Sequence, residues 1–200
     1  MLRLAVFLGN PGNKYKDNRH NAGWMLADRL SFASSLSWQK KFRGLYACFD
    51  NFHFLKPQTY MNLSGESVQA AASFFKIDTE EIIVVHDEIE LPFGTISLKH
   101  GGGLGGHNGL RSMKAVFDNA GFWRLRIGIG RPDGRTPGKG GNPQSSLDAD
   151  IAGFVLSGFS GPETEALEPV LKTGAELLEK ALREDPETLL PEWVKKKICQ

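Results

Sequence analysis

Five side chains of this chain have types and settings that suit chemistry: His20, Asp87, Asn10, Asn62 and Asn108. Histidine is the only side chain with an ordinary pKa of about 6.5, which suits a general base at neutral pH. A carboxylate beside it would fix its tautomer and stabilise the imidazolium formed when it takes a proton. Amide side chains on loops can hold a carbonyl oxygen as negative charge develops. With no protein nucleophile in these motifs, such a base implies an activated water. Water attack without a metal suits an ester better than an amide, because an alkoxide leaves more easily than an amine. Plainer roles compete at each position. His20 suits a polar surface loop, Asn62 a helix cap, and Asp87 a turn leading to Pro92 and Gly94.

Three stretches must position these groups. Leu2, Leu4, Val6 and Leu8, with Ala5 and Phe7 between them, are apolar on both faces, which predicts a strand buried in a sheet covered on both sides. Gly9-Asn10-Pro11-Gly12 ends it, a polar loop carries Tyr15, Arg19, His20 and Asn21, and helical spacing runs from Ala22 through Met25, Leu26 and Leu30 to Ala33. A helix start should push His20 toward its neutral form. Ile82–Glu88 is a second apolar run that ends in polar residues, and it predicts a buried parallel strand with Asp87 on its carboxyl edge. Ligands of open α/β sheets bind at that edge. Were the two strands parallel neighbours, Asp87 and His20 would meet. The third stretch is Gly101–Gly109, with six glycines, His107 and Asn108, ahead of a helix carrying Leu110, Met113, Val116 and Phe117. Backbone N–H groups, a helix start, His107 and Asn108 converge there and predict an anion or carbonyl site.

The remaining elements are plainer. Phe42–Phe49 and Phe52–Leu55 predict a hairpin turning at Asp50-Asn51. Pro57 argues against a central strand at its position, and Val68, Ala71, Ala72 and Phe75 mark a helix. Thr95–Lys99 and Phe122–Gly130 alternate, placing Arg124 and Arg126 on one face as an open positive surface. Residues 131–147 predict a mobile loop. Ser160–Glu163 is a capping box ahead of a helix in which Pro169 favours a kink.

At 200 residues, 40% apolar and 24% charged, the chain suits one globular domain. Its apolar runs fall short of the roughly 18 residues of a membrane span, and the first is too short for a signal peptide. Two cysteines, Cys48 and Cys199, form no framework, which points to a reducing cytoplasm. A net charge of +1 hides a basic block. Residues 94–143 hold eight basic against two acidic side chains, whereas 144–192 hold three against eleven. That block predicts a polyanion footprint.

Other templates fail. Gly-x-Ser-x-Gly and HExxH are absent, as is paired His/Cys spacing for zinc. Gly134–Gly140 misses the P-loop spacing. Gly101, Gly103 and Gly106 match G-x-G-x-x-G, but Arg124 and Arg126 stand where a dinucleotide site needs an acid. The residues alone leave three classes: a histidine-based esterase on a phosphate-rich substrate, an RNA or nucleotide binder without chemistry, and a weakly supported NADP-type oxidoreductase.

GNPGNKYKDNRHNAG, KPQTYMNLSG, VVHDEIELPFG, GGGLGGHNG and WRLRIGIGRP, in this order and spacing, closely resemble the bacterial-type peptidyl-tRNA hydrolases. The resemblance implies an α/β fold: a single-domain mixed twisted β-sheet sandwiched between α-helices, spanning 1–200 with C-terminal helices in 161–200. It implies a cytoplasmic monomer that needs no protein partner, membrane, metal or other cofactor. The implied reaction is hydrolysis of the ester between a peptide and the terminal ribose of tRNA, which recycles tRNA from peptides dropped by the ribosome. His20 then matches the general base and Asp87 its orienting carboxylate. Asn10 joins this catalytic set and helps tell a blocked peptide from a free amino acid. Asn62 and Asn108 match groups that hold the peptide backbone and reacting carbonyl. Tyr15 and Tyr60 match aromatic positions at the tRNA 3′ end, the second usually Phe. Lys99 and Arg126 match a clamp on tRNA phosphates. Ser97 stands where the family usually has a basic residue, and Asn18 where Thr is common.

Overall fold

The computed structural model describes residues 1–132 and 146–199. β1 (Leu4–Phe7) is buried along its whole length and pairs in parallel with β4 (Phe52–Pro57) on one side and β5 (Ile82–Glu88) on the other. These three form the centre of an eight-stranded sheet. β2 (Gln39–Lys41) and β3 (Gly44–Phe49) extend it antiparallel beyond β4. On the other side, β7 (Trp123–Gly128) runs parallel to β5, and then β6 (Thr95–His100) and β8 (Lys196–Lys197) follow antiparallel. The sheet is therefore mixed, as expected. β2 and β8 carry little apolar pattern, and neither was legible in the sequence.

Each face of the sheet carries its own core. Ala5, Phe7, Ile83, Val85, Leu125 and Ile127 pack under α1 (Ala22–Ala27), α5 (Gly161–Arg183) and α6 (Pro186–Trp193). Leu4, Val6, Leu8, Ile82 and Val84 pack under α2 (Ser64–Phe75) and α3 (Asn108–Phe117). Adjacent residues of β1 and β5 thus serve opposite cores, which explains their unbroken apolar runs.

Several expectations shift. α1 ends at Ala27, although helical spacing continues to Ala33. Leu30 reaches the same core from a turn, so burial rather than helix maintained that spacing. β4 is a central strand despite Pro57, because the register with β1 stops at Leu55 and the missing N–H falls beyond that ladder. The hairpin turn is where it was expected, with Asp50 and Asn51 at φ 49° and 66°. α5 runs continuously past Pro169. The expected mobile loop falls largely on residues outside those described, and α4 (Ser146–Val155) begins within its range. No described helix is long and apolar enough to cross a membrane.

Candidate active site

The parallel pairing of β1 and β5 brings the carboxyl ends of both strands to one edge. Beyond β1, Asn10 is held by a side chain that the sequence reading left without a role. Asn21 Oδ1 accepts from the Asn10 backbone N–H at 2.9 Å, and Asn21 Nδ2 donates to the Asn10 carbonyl at 3.0 Å. Asn10 Oδ1 in turn accepts from the Met61 N–H at 2.9 Å. With that oxygen occupied, Asn10 presents its amide N–H donors to the adjoining cleft.

His20 sits in a single 3-10 turn, Arg19–Asn21, directly before α1. Gly23 lets α1 lie close on the strand ends. A Cβ there would stand 2.6 Å from the Val85 carbonyl and 2.7 Å from that of Leu8. This approach carries His20 to Asp87, the sixth residue of β5, with Nδ1 to Oδ1 at 2.9 Å. A carboxylate only accepts, so His20 Nδ1 donates. In the neutral ring Nε2 is then a free lone pair, with no hydrogen-bond partner among the described residues.

A second histidine reaches the same oxygen from the other face of the sheet. His107 caps α3, its Nδ1 accepting from the Gly109 N–H at 3.1 Å. Its ring proton therefore sits on Nε2, which donates to Asp87 Oδ1 at 3.1 Å. The rings of His20 and His107 lie 4.8 Å apart. The sequence counted His107 with Asn108 in an expected anion or carbonyl site but did not foresee its contact with Asp87; its position just before Asn108 was the available signal. Below it, His86 is fully buried and donates through Nδ1 to the Asp87 carbonyl at 2.6 Å. Burial, reinforced by nearby His107, holds His86 well below the ordinary histidine value.

Electrostatics at the pair run against the helix-start expectation for His20. Burial disfavours its charged form, but the charge of Asp87 and the hydrogen bond to it outweigh burial, and the pKa lies above 6.5. Asp87 is also buried, which opposes ionisation. The two histidines and their hydrogen bonds dominate and hold its carboxyl far below the usual range.

A cleft of about 860 Å³ opens over this centre. Asn10, Tyr15, His20, Tyr60, Asn62, Asp87 and Asn108 all line it, so seven of the nine expected site residues converge. Asn62 is exposed and caps no helix; α2 is preceded by Leu63 without a side-chain cap. Ile151, Val155 and Leu156 of the α4 segment form an apolar wall, while Glu88, Glu90 and Arg131 add charge. Glu90 and Arg131 pair at 3.1 Å.

Lys99 and Arg126 do not line the cleft. They share a neighbouring face of β6 and β7, with Lys99 opposite Arg124 and Ser97 opposite Arg126. The open positive surface expected there is not formed. Arg124 is only 1% exposed and donates to the Gly101 and Gly103 carbonyls, pinning the glycine loop. The loop's carbonyls need donors, and a guanidinium supplies several. Arg126 donates to Glu88 at 3.1 Å and to Ser97 Oγ at 3.2 Å. Burial and its cationic neighbours Arg124 and Arg126 lower the pKa of Lys99.

Among the described residues, His20, Asp87 and His107 form the one group with metal-ligand types in reach, their donor atoms within 4.8 Å of one another. Two of the separations, 2.9 and 3.1 Å, are the two His–Asp contacts, at N–H···O hydrogen-bond length.

The comparisons with known proteins point one way. The sequence profile of the peptidyl-tRNA hydrolase family matches residues 4–199. A peptidyl-tRNA hydrolase of Treponema pallidum is 46% identical over 98% of this chain and 96% of its own length. That of a Geobacter species, strain M21, is 42% identical over 91% and 92%. The crystal structure of peptidyl-tRNA hydrolase from Acinetobacter baumannii superposes with a TM-score of 0.79 at 31% identity, covering 96% of this chain and 93% of that one. On these similarities, the chain belongs to the peptidyl-tRNA hydrolase family.

Proposed function

We propose that the protein hydrolyses the ester joining a peptide, or an N-blocked amino acid, to the 3′-terminal ribose of tRNA. The observation that carries this reading is the His20–Asp87 pair at 2.9 Å, with a free His20 Nε2, at the floor of a cleft lined by three asparagines. Family membership supports the substrate class.

In this mechanism Nε2 of His20 takes a proton from water as its oxygen attacks the ester carbonyl carbon. Asp87 keeps the proton of the neutral ring on Nδ1 and stabilises the imidazolium once Nε2 is protonated. The tetrahedral oxyanion and the peptide backbone are met by the amides of Asn62 and Asn108. Collapse breaks the bond to the ribose oxygen, which leaves with the proton returned from His20. No group in this scheme requires a metal.

Asn10 supplies selectivity. Its Oδ1 is engaged by Met61, so it offers N–H donors. Donors suit the carbonyl of a blocked amino acid and disfavour a free α-ammonium, which has no lone pair to accept them. Tyr15 and Tyr60, both on the cleft, serve as surfaces for the terminal bases of tRNA. Lys99 and Arg126 meet phosphates along the adjoining face. The chain works as one domain and a monomer in the cytoplasm, recycling tRNA.

The test is release of deacylated tRNA from an N-blocked aminoacyl-tRNA, with and without EDTA, beside His20→Ala. Turnover that survives EDTA and drops by about 10²–10⁴-fold in His20→Ala is expected. RNA binding without turnover would favour a binding module that keeps the fold without its chemistry.

A further inference from the structure

Arg19, next to His20, is a charged side chain that the reaction scheme does not use, yet it is only 6% exposed. Its guanidinium leaves the His20 turn and enters the connection between α4 and α5. Nη1 donates to Ser157 Oγ at 2.6 Å and to the Gly158 carbonyl. Nη2 donates to Glu163 Oε2 at 2.8 Å. The same Glu163 oxygen accepts from the Ser160 N–H at 2.7 Å and so closes the capping box of α5. The Arg19 guanidinium carbon lies 4.3 Å from the ring centre of Phe154 and 5.1 Å from that of Phe159. The backbone follows the side chain: the Arg19 N–H donates to the Ser157 carbonyl at 3.0 Å, and Asn18 bridges Gly158.

We propose that Arg19 is a positioning residue that latches residues 154–163 to the His20 turn and so holds the apolar wall of the cleft, Ile151, Val155 and Leu156, over the reacting bond. The guanidinium fork thus ties the His20 turn to partners 138 and 144 residues away in the chain. The wall follows directly from the latch. Phe154 lies under the guanidinium, Val155 and Leu156 are the next two residues, and Ser157 Oγ closes the turn onto the Phe154 carbonyl at 2.7 Å. A lysine could keep the charge but neither the fork nor the stacking on two rings. The wall is apolar, so its partner is the side chain of the residue esterified to the ribose, and bulky apolar residues gain most from it. This substrate preference rests on the peptidyl-tRNA reading; the latch itself does not.

The test uses the full chain with Arg19→Lys and Glu163→Gln, the latter a partly exposed residue that decides the question should the former not fold. In amide hydrogen exchange, residues 151–158 should exchange about tenfold faster in either variant while β5 keeps its protection. With N-acetyl-phenylalanyl-tRNA, KM should rise by about tenfold and kcat fall by less than about threefold, whereas N-acetyl-glycyl-tRNA should show a smaller KM change. Unchanged exchange over 151–158 overturns the latch. A fall in kcat with unchanged KM for both substrates also overturns it, since Arg19 would then act on His20 and not on the wall. Should the wild type cleave neither substrate, the functional reading fails, and the exchange result still decides the latch.

Discussion

His107 donates to the same Asp87 oxygen that orients His20, so one carboxylate atom serves two histidines from opposite faces of the sheet. The consequence concerns His20. Removing the His107 donor leaves Asp87 with more of its charge directed at His20, and the His20 pKa, already above 6.5, should rise further. His107→Ala is therefore expected to move the acid limb of the kcat/KM profile to higher pH and to lower the plateau by about tenfold. An acid limb that stays in place would show that His107 does not act through Asp87.

Asp87→Asn should do the reverse. Burial alone then acts on His20, and burial lowers a histidine pKa. The acid limb should move to lower pH while the plateau falls by about 10²–10⁴-fold, since the tautomer and the imidazolium lose their support. Kinetics from pH 4 to 9 on both variants read the two opposite shifts together.

The same pair makes stability depend on pH. Asp87 is depressed in the folded chain, so its contribution is present above the ordinary carboxylate range and is lost as pH falls through the folded value. His20 is raised, so its contribution is present below 6.5 and fades as pH rises through its folded value. Urea midpoints of wild type and Asp87→Asn should differ most in the mildly acidic window between these limits and converge on strong acidification. A constant difference at all pH values would mean that Asp87 stabilises by packing alone.

Gly23→Ala tests the approach that delivers His20. Its Cβ would meet two strand carbonyls at 2.6 and 2.7 Å, and backbone cannot yield as a side-chain tip can. We expect a loss of about 1–3 kcal/mol in urea denaturation, with reduced turnover as α1 retreats. Unaltered stability and turnover would show that the contact is relieved elsewhere.

Lys99→Ala should raise KM for tRNA substrates and reduce the slope of log KM against log salt by about one, leaving kcat in place. Arg126→Ala should do the same and also leave Glu88 without its guanidinium partner on the rim of the cleft. A slope unchanged in both variants would remove these residues from the tRNA path.

Much of this was legible in the chain itself. Unbroken apolar runs at β1 and β5 announced strands buried on both faces, and the polar residues after each run announced the edge where His20, Asp87 and Asn10 gather. Local chemistry determined these features, because periodicity, glycine and proline act within a few residues. The tertiary structure decided the rest. The parallel β1–β5 register and the close seat of α1 on Gly23 set the His20–Asp87 contact. The arrival of α3 from the opposite face gave His107 its role, and the mutual clasp of Asn10 and Asn21 gave Asn10 its orientation. The two arginines of β7 are the sharpest case. Alternation assigned them a face, but Arg124 is buried under glycine carbonyls and Arg126 is tied to Glu88, because a sheet face is open only where no loop crosses it. Patterning along a strand records which way a side chain points; what lies above it depends on segments far away in sequence.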